Sequence, residues 1–185
     1  GDIVDEDHDS ISSVEDLLKG IKDLAPIYFV TGNHELTSLA ATQYQELLAL
    51  FQKYGVTDLD NDSVKLKKGG QSITLYGRQY FSQYLTDSLP IASDKDFDIL
   101  LYHGSDNFKE IAPYHYDLIL SGHAHGGIVR LPIWGGIFGN DGTFFPEYAG
   151  GEYTIGDATL ISSRGLGDAS IPRFNNPPEL VVIKL

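Results

Sequence analysis

The chain has 185 residues, thirteen Lys and Arg against 26 Asp and Glu for a net charge of −13, 42% hydrophobic residues and no cysteine. That length suits one domain, residues 1–185, burying roughly 70% of its unfolded surface; the composition excludes a disordered or fibrous chain, and the acidic surplus repels a phosphate backbone, so no nucleic acid is expected as a partner. Lack of cysteine excludes disulfides, zinc–cysteine modules and thiol nucleophiles, and the apolar runs are far shorter than the roughly 20 residues of a membrane helix.

In chain order, Val14, Leu17, Leu18, Ile21 and Leu24 recur at helical spacing and predict a helix from Ser12 to Leu24, with Ser12 or Ser13 as N-cap. Pro26 ends the pattern, and Ile27 to Val30 is a buried strand running into Thr31-Gly32-Asn33-His34. Tyr44, Leu47, Leu48 and Phe51 predict a second helix within Thr37 to Tyr54, with Gly55 as C-cap. Ser63 to Lys68 and Ser72 to Tyr76 flank Gly69-Gly70 as a hairpin. Asp98 to Tyr102 is a strand ending at His103, a short helix follows over Asp106 to Ala112, and Asp117 to Leu120 is a strand ending at Ser121-Gly122-His123-Ala124-His125. Residues 126–156, dense in Gly and aromatics, read as a long loop near these histidines. Thr159 to Ser163 and Leu180 to Leu185 read as closing strands. Helices and strands alternate early and strands dominate late, which predicts a layered α/β or α+β fold.

Asp2, Asn33, His103, His123 and His125 each follow a real or inferred strand, and in open α/β sheets such loops converge on one edge. Imidazole, carboxylate and amide oxygen together suit a borderline-hard cation such as Zn, Mn or Fe. His123 and His125, two apart on what reads as extended backbone, are expected to project the same way.

Gly1-Asp2-Ile3-Val4-Asp5, Gly32-Asn33-His34-Glu35, the lone His103 and Gly122-His123-Ala124-His125 stand in the order of the GDxxD, GNHE, H and GHxH elements of the calcineurin-like metallophosphoesterases, which the chain resembles. The words around Leu120 to Gly127, Ser163 to Gly167 and Pro177-Pro178-Glu179-Leu180 are similar to the bacterial YkuE-type branch. The resemblance implies a two-sheet β-sandwich flanked by helices and hydrolysis of a phosphomonoester, phosphodiester or pyrophosphate bond by water activated on two divalent metal ions, Mn, Fe, Zn or similar. It makes Asp2 the bridging carboxylate, places Asn33, His103 and His123 on one metal and His125 on the other, and casts His34, oriented by Asp5, as the catalytic group beside the phosphate. The implied partner is a small phosphorylated substrate, envelope- or lipid-linked by analogy with the branch, whose members are often exported or membrane-tethered.

The family's opening Asp-x-His is absent; the nearest approach is Glu6-Asp7-His8, after the GDxxD element and with the wrong acid. The expectation is a chain lacking an N-terminal strand-helix-strand unit, carried by another chain or trimmed away, with one metal shell complete and the second reduced to Asp2 and His125. The competing reading is an inactive or mononuclear metal- or phosphate-binding module or scaffold. His8 and His115 match no motif position and read as surface residues. Arg130 and Arg164 suit either a phosphate contact or a structural ion pair. The aromatics Trp134, Phe138, Phe144, Phe145 and Tyr148 suit the grip of an apolar or glycan portion of the substrate.

Overall fold

The computed structural model describes residues 1–4, 11–80, 85, 89–93, 96–139, 142–167 and 172–185. Alternation of apolar side chains along the strands decides its layering. On β5 (Phe97–Gly104), Leu100 and Tyr102 face one core cluster while Ile99 and Leu101 face another, and on β6 (Leu118–Gly122) Ile119 is likewise opposed to Leu118 and Leu120. Strands apolar on both faces belong at the centre of a sheet covered on both sides.

They lie in the middle of a six-stranded mixed sheet, ordered β3 (Ser63–Lys68), β4 (Gln71–Arg78), β5, β6, β10 (Ala158–Ser162), β9 (Gly151–Ile155). The four inner strands run parallel and the two edge strands antiparallel. One face is covered by α4 (Phe108–Ile111) and the 3₁₀ turn Ala112–Tyr114, burying Tyr102, Phe108, Ile111, Tyr116 and Leu160. The other face packs on β1 (Ile27–Phe29) and β2 (Val56–Asp58), a parallel pair whose Tyr28 and neighbouring Val30 meet Leu75, Ile99 and Leu118. Behind that pair lie α1 (Ile11–Ile21) and α3 (Ala41–Tyr54), packed through Val14, Leu18, Phe29, Leu47 and Phe51. The layers therefore run helices, small sheet, large sheet, helix. Each fully buried Leu, Ile or Phe of these clusters contributes about 1.5–3 kcal/mol by leaving water.

Several local expectations need correction. The segment from Thr37 is two helices, α2 (Asn33–Thr37) and α3, because Ser38 to Ala40 break the run. Gly55 does cap α3, at φ 70°. Residues 126–156 are not one loop: β7 (Val129–Leu131) pairs with β8 (Gly135–Phe138), and the end of the stretch is β9. Leu180 to Leu185 forms no strand, since Leu180, Val182 and Leu185 are solvent-exposed and only Ile183 packs on the core. The Glu6-Asp7-His8 run lies outside the described residues.

Candidate metal centre

The first and second loops are held together by one buried side chain. Glu35 in α2 accepts the backbone N–H groups of Asp2 (2.7 Å), Ile3 (2.7 Å), Val4 (3.4 Å) and Gly32 (2.7 Å). Its bond to Gly32 is the return half of a capping box, at the third helical position. A Cβ on Gly32 would lie 2.1 Å from Asp2 Oδ1, so glycine is required there by close approach. Asp2 in turn accepts the His34 N–H through Oδ1 at 3.0 Å.

The loops after β5 and β6 complete the cluster. Asp2, His103 and His123 each offer a ligand atom, and the three atoms lie within 4.8 Å of one another. His103 Nε2 stands 2.8 Å from Asp2 Oδ2, and His34 Nε2 stands 3.9 Å from the same oxygen. Asn33 Oδ1 and His125 Nδ1 are buried without a hydrogen-bond partner. Burying an unsatisfied polar atom costs about 1–3 kcal/mol, so two such atoms on expected ligand residues, beside the buried Asp2–His103 pair, fit donors shaped for a cation. Burial by itself raises the Asp2 pKa, but contact with His103, then the His34 N–H and imidazole, outweighs it and draws the carboxyl down to about 2.

His123 and His125 do not sit on extended backbone as expected. Ala124 N–H donates to the Gly122 carbonyl at 2.8 Å, closing a tight turn about His123 at φ 66°. Gly127 N–H donates to the Ala124 carbonyl at 2.7 Å across His125 (φ 49°) and Gly126 (φ 71°), the pair of positive dihedrals of a type I′ turn. Asp2 is also left-handed, at φ 54°. Non-glycine residues held there cost about 1–3 kcal/mol each and persist where the surroundings over-determine them. Asn176 is that surrounding for the histidine turn: buried, it donates through Nδ2 to the carbonyls of His125 (2.6 Å) and Ile128 (3.3 Å). Tyr80 supports the other side, its ring 5.4 Å from that of His103 and 5.2 Å from that of His123, and its hydroxyl 3.4 Å from His123 Nε2.

Asp2, His34, His103, His123 and His125 line one cleft of about 550 Å³, shared with Arg164, Gly165 and Arg173. Burial, then the charge of Arg173, lowers the His125 pKa and favours the neutral imidazole that ligates metals. Asn33 opens α2 beside His34, and Asp5 lies outside the described residues. Arg164 is committed to an ion pair with Glu179, through Nη2 to Oε2 at 2.5 Å and its backbone N–H to Oε1 at 2.9 Å, and Arg130 donates to the Gly126 carbonyl at 2.7 Å. Glu35, Asn176, Tyr80 and Arg173 escaped the sequence reading. Only Glu35 carried a legible signal there, the glutamate three residues into a Gly-Asn-His-Glu turn.

The chain is 38% identical over 94 residues to the metallophosphoesterase YkuE of Bacillus subtilis, covering 50% of this chain and 32% of that protein. It is 24% identical over 177 residues to the phosphodiesterase YaeI of Escherichia coli, covering 95% and 64%. To the UDP-2,3-diacylglucosamine pyrophosphatase LpxG of Chlamydia trachomatis it is 33% identical over 94 residues, covering 46% and 28%. The chain thus spans less than two thirds of the length of each of these relatives. Residues 1–127, which carry every motif that built the cluster, match the pattern of the calcineurin-like phosphoesterases, and the chain belongs to that family.

Proposed function

We propose that the chain is the catalytic part of a metal-dependent phosphohydrolase acting on a small phosphorylated substrate. The reading is carried by the meeting of Asp2, His103 and His123 around one point, their ligand atoms within 4.8 Å of one another. Asp2, Asn33, His103 and His123 would hold one divalent ion and Asp2 and His125 would contribute to a second, with Mn, Fe and Zn all compatible with this oxygen and nitrogen set. A divalent ion so bound supplies Lewis acidity, polarising a phosphoryl oxygen and lowering the pKa of water.

The chain's own residues do the rest. Asp2 stays ionised throughout the neutral range, keeping an acceptor aimed into the cleft. His34 stands on the rim at 3.9 Å from that carboxylate, placed to donate a proton or hydrogen bond to the phosphate or to its leaving oxygen. Asp5 is its proposed orienting group. Arg173 lines the cleft and brings positive charge to a substrate anion in a chain otherwise acidic, while Arg164, also on the lining, is held by Glu179. Glu35 and Asn176 fix the two loops that present Asp2 and His125.

The relatives named phosphodiesterase and pyrophosphatase support hydrolysis over a scaffold role, and the diacylglucosamine in one of those names supports a lipid-linked phosphate as the substrate class. The test is hydrolysis of p-nitrophenyl phosphate and bis-p-nitrophenyl phosphate with Mn supplied, compared with chelator-treated protein, His123→Ala and Asn33→Ala. Turnover should disappear with chelator and drop by about 10²-fold or more in either variant. Turnover that survives both substitutions overturns the assignment.

A further inference from the structure

The β7–β8 hairpin projects from the turn that carries His125, and its tip is Leu131-Pro132-Ile133-Trp134. Ile133 is fully exposed and Trp134 is 70% exposed. Ile133 also sits at φ 76°, a conformation that a β-branched residue adopts only under constraint. The exposed apolar surface continues beyond the tip. Phe174 bridges to Val129 on one side of the hairpin, while Phe144 and Phe145 join Phe138 and Ile137 on the other, and all three phenylalanines face solvent. Leu131, Ile133, Trp134, Phe144, Phe145 and Phe174 are therefore gathered on one small ribbon, where a soluble surface would scatter such residues singly.

Charge separates the candidate occupants of this surface. Residues 126–139 contain no acidic residue, although the chain as a whole carries −13. Of the four arginines, Arg130 and Arg173 stand in or beside this ribbon and the adjoining cleft and donate to the carbonyls of Gly126 and Gly167, whereas Arg164 there is paired with Glu179. An apolar tip with tryptophan at its end and arginines set back along its stem matches the layering of a bilayer interface, acyl chains below and anionic headgroups above. Among the described residues no helix is long and apolar enough to cross a membrane, so contact through this ribbon would be with the surface.

We infer that the β7–β8 hairpin, led by Ile133 and Trp134 with Phe144, Phe145 and Phe174 beside them, is a membrane-interface wedge that seats the metal-centre cleft on a phospholipid surface. It does not depend on the phosphoester reading, because its observables lie outside the cleft. Trp134 is the chain's sole tryptophan, so intrinsic fluorescence reports on the tip alone.

The experiment titrates the full chain with vesicles of phosphatidylcholine doped with phosphatidylglycerol, following Trp134 emission and co-sedimentation, and repeats the titration with brominated acyl chains. The expected result is a shift to shorter wavelength, quenching by the brominated lipid, and roughly ten- to hundredfold weaker partitioning for Ile133→Asp at unchanged Tm. Quenching in the unsubstituted chain keeps the test valid if the variant fails to fold. No shift and no co-sedimentation overturns the proposal. So does a shift produced by protein concentration alone, which assigns the surface to a second copy, or by a monomeric short-chain phospholipid but not by vesicles, which assigns it to the grip of a single lipid. Loss of phosphatase activity with an intact vesicle response would instead count only against the catalytic reading.

Discussion

Replacing Glu35 by glutamine changes one oxygen of a buried side chain into an NH₂ group. Asp2 and Gly32 donate their N–H groups to Oε2, each at 2.7 Å, while Ile3 and Val4 donate to Oε1 at 2.7 and 3.4 Å. Glutamine can satisfy one of these pairs but must turn a donor toward the other. Hydrogen bonds to a charged group are worth about 1.5–3 kcal/mol and each stranded buried donor costs about 1–3 kcal/mol, so two lost bonds place the effect at about 3–5 kcal/mol. For a chain of this length, that corresponds to a fall in Tm of about 6–20 °C. Because the lost bonds fix the backbone on both sides of Asp2, Mn affinity should fall as well, by about 10- to 100-fold. Thermal denaturation of the chelator-treated chain measures the first effect and calorimetric Mn titration below the transition measures the second. A Glu35→Gln protein melting within 2 °C of the parent, with unchanged Mn affinity, would refute the view that this carboxylate builds the centre.

Gly126→Ala should cost about 2–4 kcal/mol in urea denaturation, since φ is 71° and the new Cβ would lie 2.5 Å from Asn176 Oδ1 and 2.7 Å from Arg164 Cγ. Asn176→Ala removes two bonds to the carbonyls of His125 and Ile128; a loss of about 1–3 kcal/mol and weaker metal retention on dialysis are expected. The Asp2 carboxyl, held at about 2 against an ordinary 3.8, stabilises the folded chain above the unfolded value and loses that contribution as pH falls through about 2. The stability gap between chelator-treated parent and Asp2→Asn should therefore be flat from pH 7 to about 5 and narrow below 4, as read by urea melts along a pH series. His123→Ala should reduce bound metal per chain, measured by elemental analysis after equilibration with Mn.

Much of the chemistry was legible in the residue order alone. The run of Asp2, Asn33, His103, His123 and His125 at strand ends marked them as candidate ligands before any coordinates, and the fold brings Asp2, His103 and His123 together, because parallel strands deliver their C-terminal loops to one edge whatever the packing details. The central strand was equally readable: Asp98 to Tyr102 sets Leu100 and Tyr102 on one face and Ile99 and Leu101 on the other, and burial on both sides of a sheet admits few other readings. The helix of residues 41–54 and its Gly55 cap were visible for the same kind of reason, a local period followed by a residue free to turn left-handed. What failed lay where contacts between distant segments override local pattern. Leu180 to Leu185 has the composition of a strand but pairs with none of the described strands, and the glycine-rich stretch gained a hairpin.

The histidine turn marks the boundary most clearly. Residue type announced that His123 and His125 could bind a metal, but both hold left-handed backbone, and at His125 it is braced by Asn176, some fifty positions away, through the carbonyls of His125 and Ile128. In the same way Glu35 ties Asp2 to the second loop, and Tyr80 packs against two of the imidazoles. A sequence records which groups are available for chemistry and the periodicity that buries them. The aim of each lone pair depends on hydrogen bonds between segments far apart in the chain, and those exist only once the layers have packed.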